Sequence, residues 1–442
     1  GITKDYILVA DVAFKFALED FLPTTTQSPI LQSLTRAIAP FLTYAQMWYL
    51  PLYIVPRAQL ETVRPDNPIA VKQVKIRGLN LNPKTLFEPG AAVNPEAAHY
   101  LTDYENPEDR ITIHAAHAIA TDPSEYIRKT DKYFADGPQP LTWLGRILSP
   151  FRALFNRRST PVPDDPAAQK MTEALRERAG MIVSPMDANR LGSWTIDAKA
   201  GKVLSRALSA KDGKDKNGIS QRVWYPAIYA WRGSQQCGDY SPSQFTDIYW
   251  LDYGVWPQLA SCAIYQMYDK HKNRVVERQE MRGVLAEGRP AALVRSQIKR
   301  DEAGIARAVE IVDRYEFPRN FFSSTPQFIP RKDSKDPTDG YLVCIVLWGD
   351  IENKQNQFWI FDAADLQAGP RYRLQDREKK LNIGLTIHST WMASLGVPPA
   401  RANYSAREDY EHMVLDLEAR FSPEVFEQVK ELFDRYVYRE PS

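Results

Sequence analysis

Histidine is the residue type in this chain with the most chemistry to offer, because a neutral imidazole is a good ligand for first-row transition metals. There are six: His99, His114, His117, His271, His388 and His412. Two read as surface residues, His271 in the polar turn Asp269-Lys-His-Lys-Asn273 and His412 among charges on an expected helix. His114 and His117 stand three apart, a spacing that would bind metal on a helix, but Ile111-Thr-Ile113 before them alternates as a strand does. An isolated buried histidine is usually a hydrogen-bonded core residue. His388 has a distinctive setting, alone in Ile387-His-Ser-Thr-Trp391 after a run of short strands. Sheets that each present a histidine to a shared centre could hold one metal between them. No phosphate loop, no Ser-His-Asp context and no basic-aromatic cluster typical of nucleic-acid binding is visible.

The elements needed to position such residues are mostly strands. Tyr341–Trp348, Gln357–Asp362 and Arg371–Leu374 read as strands joined by polar, Gly- and Pro-containing turns. Trp194-Thr-Ile-Asp-Ala-Lys-Ala-Gly201 echoes Trp359-Ile-Phe-Asp-Ala363, which is followed by Ala368-Gly369. Tyr6–Asp11 and Ile248–Asp252 share the same shape, an apolar strand ending in an aspartate that starts a turn. Such repetition fits the stacked blades of a propeller, and a β-sandwich would give it too. Helices are expected over residues 164–179, closed by Gly180, and after the capping box Ser405-Ala-Arg-Glu408. A last helix follows Ser422-Pro423, with Val425, Val429, Leu432 and Tyr436 on one face. Residues 208–219 read as an exposed loop.

Composition bounds the function. The 56 basic and 55 acidic residues leave a formal charge of +1, which gives no general pull toward nucleic acid or anionic lipid. Three cysteines without a CxxC pair (Cys237, Cys262 and Cys344) indicate a reducing, cytoplasmic compartment rather than a disulfide framework. No signal peptide or membrane-spanning run is visible. Two apolar and aromatic segments are expected to form helical insertions, residues 30–57 and residues 141–180. Within the second, residues 141–158 combine Trp143, Phe151 and Phe155 with Arg146, Arg152, Arg157 and Arg158. That profile suits a membrane surface, and equally a helix packed on the sheet with its arginines in water. The chain begins at Gly1 and enters directly into strand-like sequence, so residues upstream are expected to be missing.

Asp339-Gly-Tyr-Leu-Val, Phe361-Asp-Ala and His388-Ser-Thr-Trp391, taken together, resemble the C-terminal end of the carotenoid cleavage oxygenases, a family that includes stilbene-cleaving oxygenases and the retinoid isomerase of the visual cycle. Ile2-Thr-Lys-Asp-Tyr6 resembles the residues just after one of that family's iron-ligand histidines. Leu52-Tyr-Ile-Val-Pro-Arg57 is similar to its Val-x-Pro-Arg strand. His99-Tyr-Leu-Thr-Asp-Tyr-Glu105 resembles the ligand motif His-x-x-Asn-Ala-Tyr-Glu, with Thr102 and Asp103 in place of Asn and Ala. Thr325-Pro-Gln-Phe-Ile-Pro-Arg331 resembles Glu-Pro-x-Phe-x-Pro-Arg, with Thr325 where a glutamate is usual, and Ser389 replaces a glycine after His388.

The resemblance implies an all-β, seven-bladed β-propeller, present here as its C-terminal portion over residues 1–392. Residues 393–442 would be a C-terminal helical extension. It implies one non-haem Fe(II) held by histidines, with His99 and His388 as the matching ligands and His114 as an alternative to His99. Glutamates orient the ligands in the family; Thr325 takes the position of one, and Glu316, in Tyr315-Glu-Phe-Pro-Arg319, is a further candidate. The implied activity is O2-dependent cleavage of a conjugated C=C bond in a carotenoid or apocarotenoid. Cleavage of a stilbene, a polyene isomerase, and a non-catalytic propeller that only binds stand as alternatives. The implied partners are an apolar polyene or stilbene and O2; the two amphipathic segments add a membrane surface as an expectation, and the charge balance gives no expectation of nucleic acid.

Overall fold

The computed structural model describes residues 1–10, 49–62, 64, 71–77, 100–117, 127–129, 131–134, 166–181, 187–210, 218–232, 242–262, 264–265, 275–348, 355–375, 383, 389 and 405–438. The chain divides into two compact units, Gly1–Trp391 and Met392–Ser442.

The first unit is built from four antiparallel sheets taken in chain order, so the fold is all-β in its main unit. The first sheet contains β1 (Tyr6–Ala10), β2 (Tyr49–Pro56) and β3 (Lys72–Arg77). The second contains β4 (Leu101–Thr102), β5 (Arg110–His117), β6 (Arg190–Asp197) and β7 (Lys202–Leu208). The third contains β8 (Pro226–Ala230), β9 (Asp247–Asp252), β10 (Ala292–Arg300) and β11 (Ala306–Glu316). In the fourth, β12 (Phe322–Ser323) and β13 (Gln327–Pro330) both pair with β14 (Gly340–Trp348), which continues to β15 (Gln355–Asp362) and β16 (Pro370–Leu374). In the first three sheets each strand pairs with the next in the chain; in the fourth, β12 and β13 share one edge of β14 and the order then runs on through β15 and β16. The end of the 30–57 span, expected to be helical, is strand β2, as the Leu52–Arg57 resemblance implies. Tyr53, Ile54 and Val55 favour a pleated backbone, and β2 is the central strand of its sheet. Residues 141–158 lie outside the described residues.

The sheets stack face to face. Leu8, Leu52 and Ile54 of the first sheet pack on Ile111, Ile113, Trp194 and Ile196 of the second. Alternation along β9 then divides its side chains between two neighbours. Ile248 and Trp250 face the second sheet, whereas Tyr249 and Leu251 face the fourth. This is why all six residues of β9 are buried. Burial of one such large apolar side chain stabilises the fold by about 1.5–3 kcal/mol.

The turn repeat read from the sequence recurs in space. At the end of β6, Asp197 accepts the Ala200 N–H at 2.7 Å and Gly201 takes φ +67°. At the end of β15, Asp362 accepts the Ala364 N–H at 3.0 Å and Gly369 takes φ +78°. That left-handed backbone favours glycine at both places. Trp194 and Trp359, the aromatic half of the repeat, are both buried.

Helix α1 (Pro166–Glu177) runs where expected, and Gly180 follows it with φ +94°. Helix α2 (Arg278–Glu287) places Met281, Val284 and Leu285 in an apolar cluster with Tyr133, Trp224, Val255 and Ile264. The second unit holds α3 (Ala406–Leu415) and α4 (Pro423–Tyr436). The Ser405 hydroxyl accepts the Glu408 N–H at 3.2 Å, and Ser422 caps α4 through the Val425 N–H. Among the described residues no helix is long and apolar enough to cross a membrane.

Candidate functional site

The entries to the first two sheets meet. The Gly1 nitrogen donates to the Tyr100 hydroxyl at 2.8 Å, and that hydroxyl donates to the Leu8 carbonyl at 2.9 Å. Thr102 donates to the Ile2 carbonyl at 3.2 Å, and the Lys4 N–H donates to the Tyr104 carbonyl at 2.8 Å. Asp5 and Asn106 exchange two hydrogen bonds, of 3.1 and 2.8 Å. The residues that resemble two separate ligand motifs therefore run side by side. His99 itself, which directly precedes Tyr100, lies outside the described residues.

Immediately after that entry a buried polar network fixes the second sheet to the third. His114 stands opposite Ser193 in the β5–β6 register. Its Nε2–H donates to Asp103 Oδ1 at 3.0 Å, which leaves Nδ1 to accept from the Ser193 hydroxyl at 2.8 Å. Asp103 also accepts the Phe245 N–H at 2.8 Å and, through Oδ2, a 2.8 Å bond from Arg300 of β10. His114 is 0% exposed and Ser193 1%. With both ring nitrogens engaged and no route to solvent, His114 is a structural residue. This corrects its reading as an alternative iron ligand. The same contacts assemble a Ser-His-Asp trio that the sequence does not reveal, because its members are drawn from three strands' worth of chain. Burial of Ser193 and neutralisation of Asp103 by Arg300 make it a brace rather than a nucleophile. His117 ends β5, so the strand reading of that pair holds. His271 lies outside the described residues, and His412 is exposed on α3 as expected.

A second buried carboxylate closes the end of β9. Asp252 accepts from the Trp224 N–H at 2.8 Å, the Gly254 N–H at 3.1 Å and Arg314 at 3.1 Å. Complete burial pushes its pKa up to about 6, against the pull of Arg314. Glu316, expected to orient a ligand, instead holds the other side of that arginine at 3.1 Å, with its side chain 54% exposed. Thr325 is buried between β12 and β13. His388 lies outside the described residues, but its neighbour Ser389 is tied to β13. With its amide turned to satisfy both groups, Gln327 donates to the Ser389 carbonyl at 2.8 Å and accepts the Phe328 N–H at 3.2 Å. Thr325 is thus two residues from the point where the His388 segment attaches, and Glu316 belongs to a different cluster.

Aromatic side chains gather where β12 begins and β9 and β14 end. Tyr253 stacks on Phe322 at 5.2 Å between centroids, Trp256 meets Phe322 at 6.2 Å, and Phe321 stacks on Trp348 at 5.1 Å. All five are half-buried. The Phe321-Phe322 doublet is the one mark of this cluster in the sequence. Among the described residues, no three His, Cys, Asp or Glu side chains come together in a way that could hold a metal ion. The described residues alone therefore do not fit an iron centre, and the ligands implied by resemblance, His99 and His388, both fall outside them.

Residues 164–393, just over half of the chain, match the family model of the retinal pigment epithelial membrane protein. The chain belongs to that family of carotenoid oxygenases and retinoid isomerases. No curated protein sequence matches it. Among solved structures, cobalt-substituted Synechocystis apocarotenoid oxygenase is similar at 14% identity, with a TM-score of 0.35 over 78% of this chain and 43% of that one. A chimera of that oxygenase with RPE65, in a trigonal crystal form, is similar at 12% identity, with a TM-score of 0.38 over 88% of this chain and 51% of that one. The chain spans about half the length of these relatives or less. That family includes carotenoid cleavage oxygenases and is one known for an iron cofactor.

Proposed function

We propose that this chain is part of a non-haem Fe(II)-dependent dioxygenase that cleaves a conjugated C=C bond of a carotenoid or apocarotenoid. The proposed scaffold is a seven-bladed β-propeller, of which the four stacked sheets are consecutive blades, with residues 1–392 as the propeller portion and 393–442 as an appended helical piece. The observation that carries the reading is the contact between the entries to the first two sheets, where the Lys4 N–H meets the Tyr104 carbonyl. In a propeller these entries converge on the axis, the one place where side chains from different blades reach a common centre.

His99 and His388 are the proposed ligands, with Thr325 beside the second. Iron bound there would supply O2 activation. The chain's own described residues act around it. The brace of Asp103, His114 and Arg300 holds the strand that follows His99, and the Gln327–Ser389 bond holds the segment that contains His388. The stacked aromatics Tyr253, Phe322, Phe321 and Trp348 offer flat apolar faces suited to a conjugated substrate. A substrate of that kind partitions into lipid, which makes a membrane surface the proposed place of encounter and residues 141–158 the proposed contact.

O2 uptake tests the reaction class, measured with protein expressed from its complete reading frame, loaded anaerobically with Fe(II), and offered an apocarotenoid or a stilbene. Uptake coupled to aldehyde formation with the apocarotenoid supports the proposal. Uptake with the stilbene alone moves the substrate to the stilbenes, and isomerised product without uptake indicates a polyene isomerase. A protein that binds polyene but consumes no oxygen and changes no double bond is a binding propeller.

A further inference from the structure

Among its described residues, the helical unit leaves several large apolar side chains exposed. Helix α4 carries Val425, Val429, Leu432 and Tyr436 at i, i+4, i+7 and i+11, one continuous face. Only the adjacent face of α4 packs inward, with Phe426 at 5% exposure. Leu432 is 56% exposed and Tyr436 64%, and Met413 of α3 is 54% exposed. The ion pairs of the hairpin lie on the opposite side, where Arg407 binds Glu411 at 2.9 Å and Asp434 at 2.5 Å. On the helical wheel Asp434 is half a turn from Val425. Two helices that bury little more than Val414 and Phe426 between them form one layer short of a core.

Charge identifies what would complete it. Residues 405–438 hold nine carboxylates and four cations. A second copy of the same face would bring like charge against like, and an anionic lipid surface would be repelled in the same way. A cationic partner is attracted, and an apolar face on a helical hairpin is complemented by the apolar stripe of a third helix. We propose that the α3–α4 hairpin is a docking surface for a cationic amphipathic helix of a partner protein, seated on Leu432, Tyr436 and Met413.

Two labelled peptides of about 18 residues test this on the full chain, both with leucines on one face. One carries lysines on the other face and the other carries glutamates, and binding is read by fluorescence anisotropy at low salt. The lysine peptide is expected to bind about tenfold or more tightly than the glutamate peptide. Leu432→Asp and, separately, Met413→Asp should each weaken it about tenfold while helix content and thermal unfolding stay unchanged, since both side chains are exposed. Equal affinity for the two peptides, or none for either, overturns the proposal. So does sedimentation that shows the chain pairing with itself through Leu432, or flotation with anionic vesicles that depends on Leu432.

Discussion

Two interfaces of the third sheet show different ways of joining sheets. On the side facing the fourth sheet, Tyr249, Leu251, Leu293, Phe328, Leu342, Val346, Trp359 and Phe361 interlock, and specificity comes from shape. On the side facing the second sheet, apolar packing around Trp250 is interrupted by His114, Asp103, Ser193 and Arg300, whose hydrogen bonds fix one arrangement. An apolar interface tolerates small shifts. A buried polar one holds its partners in register, because each unpaired group is costly. The polar interface is also the one next in the chain to His99, a proposed ligand, which would put the stricter joint beside the proposed site.

Substitutions can break this contrast at several strengths. Phe361→Ala removes a fully buried ring from the apolar interface and should cost about 3–5 kcal/mol in urea unfolding. A cost under 1 kcal/mol would mean that this interface can collapse and is not shape-specified. His114→Leu should cost about 1–3 kcal/mol, because Ser193 and one side of Asp103 lose their partner inside the protein. Adding Ser193→Ala should recover part of that loss; no recovery would show that packing, not hydrogen bonding, sets the value. Arg373→Ala removes a guanidinium 4.1 Å from the centre of the Trp359 ring and should cost about 0.5–1 kcal/mol, in line with an exposed cation–π contact.

A pH titration sharpens the polar side. The Asp252 carboxyl titrates at about 6 in the folded chain, against an ordinary value of 3.8. Between those values the folded protein holds a proton that the unfolded chain has lost. Stability should therefore fall as pH rises from about 4 to 6 and level off above. Asp252→Asn should flatten that slope. An unchanged slope in the variant would assign the dependence to other groups.

The strands of the fourth sheet were legible because alternation and turn chemistry are local signals. Tyr341–Trp348 and Gln357–Asp362 fall within one or two residues of β14 and β15, and the Trp-to-Asp repeat marks equivalent places in the second and fourth sheets. The brace was not legible. Asp103 reads only as a departure from a ligand motif, His114 as a spare ligand, and Arg300 as one arginine of many. Their meeting depends on which sheets stack, and no pattern within a single strand encodes that. Glu316 shows the converse. Its motif looked functional, yet its carboxylate is drawn to the arginine that Asp252 already grips.

Iron content is the most direct test of the central claim that His99 and His388 hold the metal while His114 only braces the sheets. It is measured per folded chain on protein from the complete reading frame, after anaerobic Fe(II) loading, with His99→Ala, His388→Ala and His114→Leu alongside. The account predicts about one iron in the unmutated protein and in His114→Leu, and its loss in the other two variants. Iron retained in His388→Ala, or absent from the unmutated protein, would contradict it.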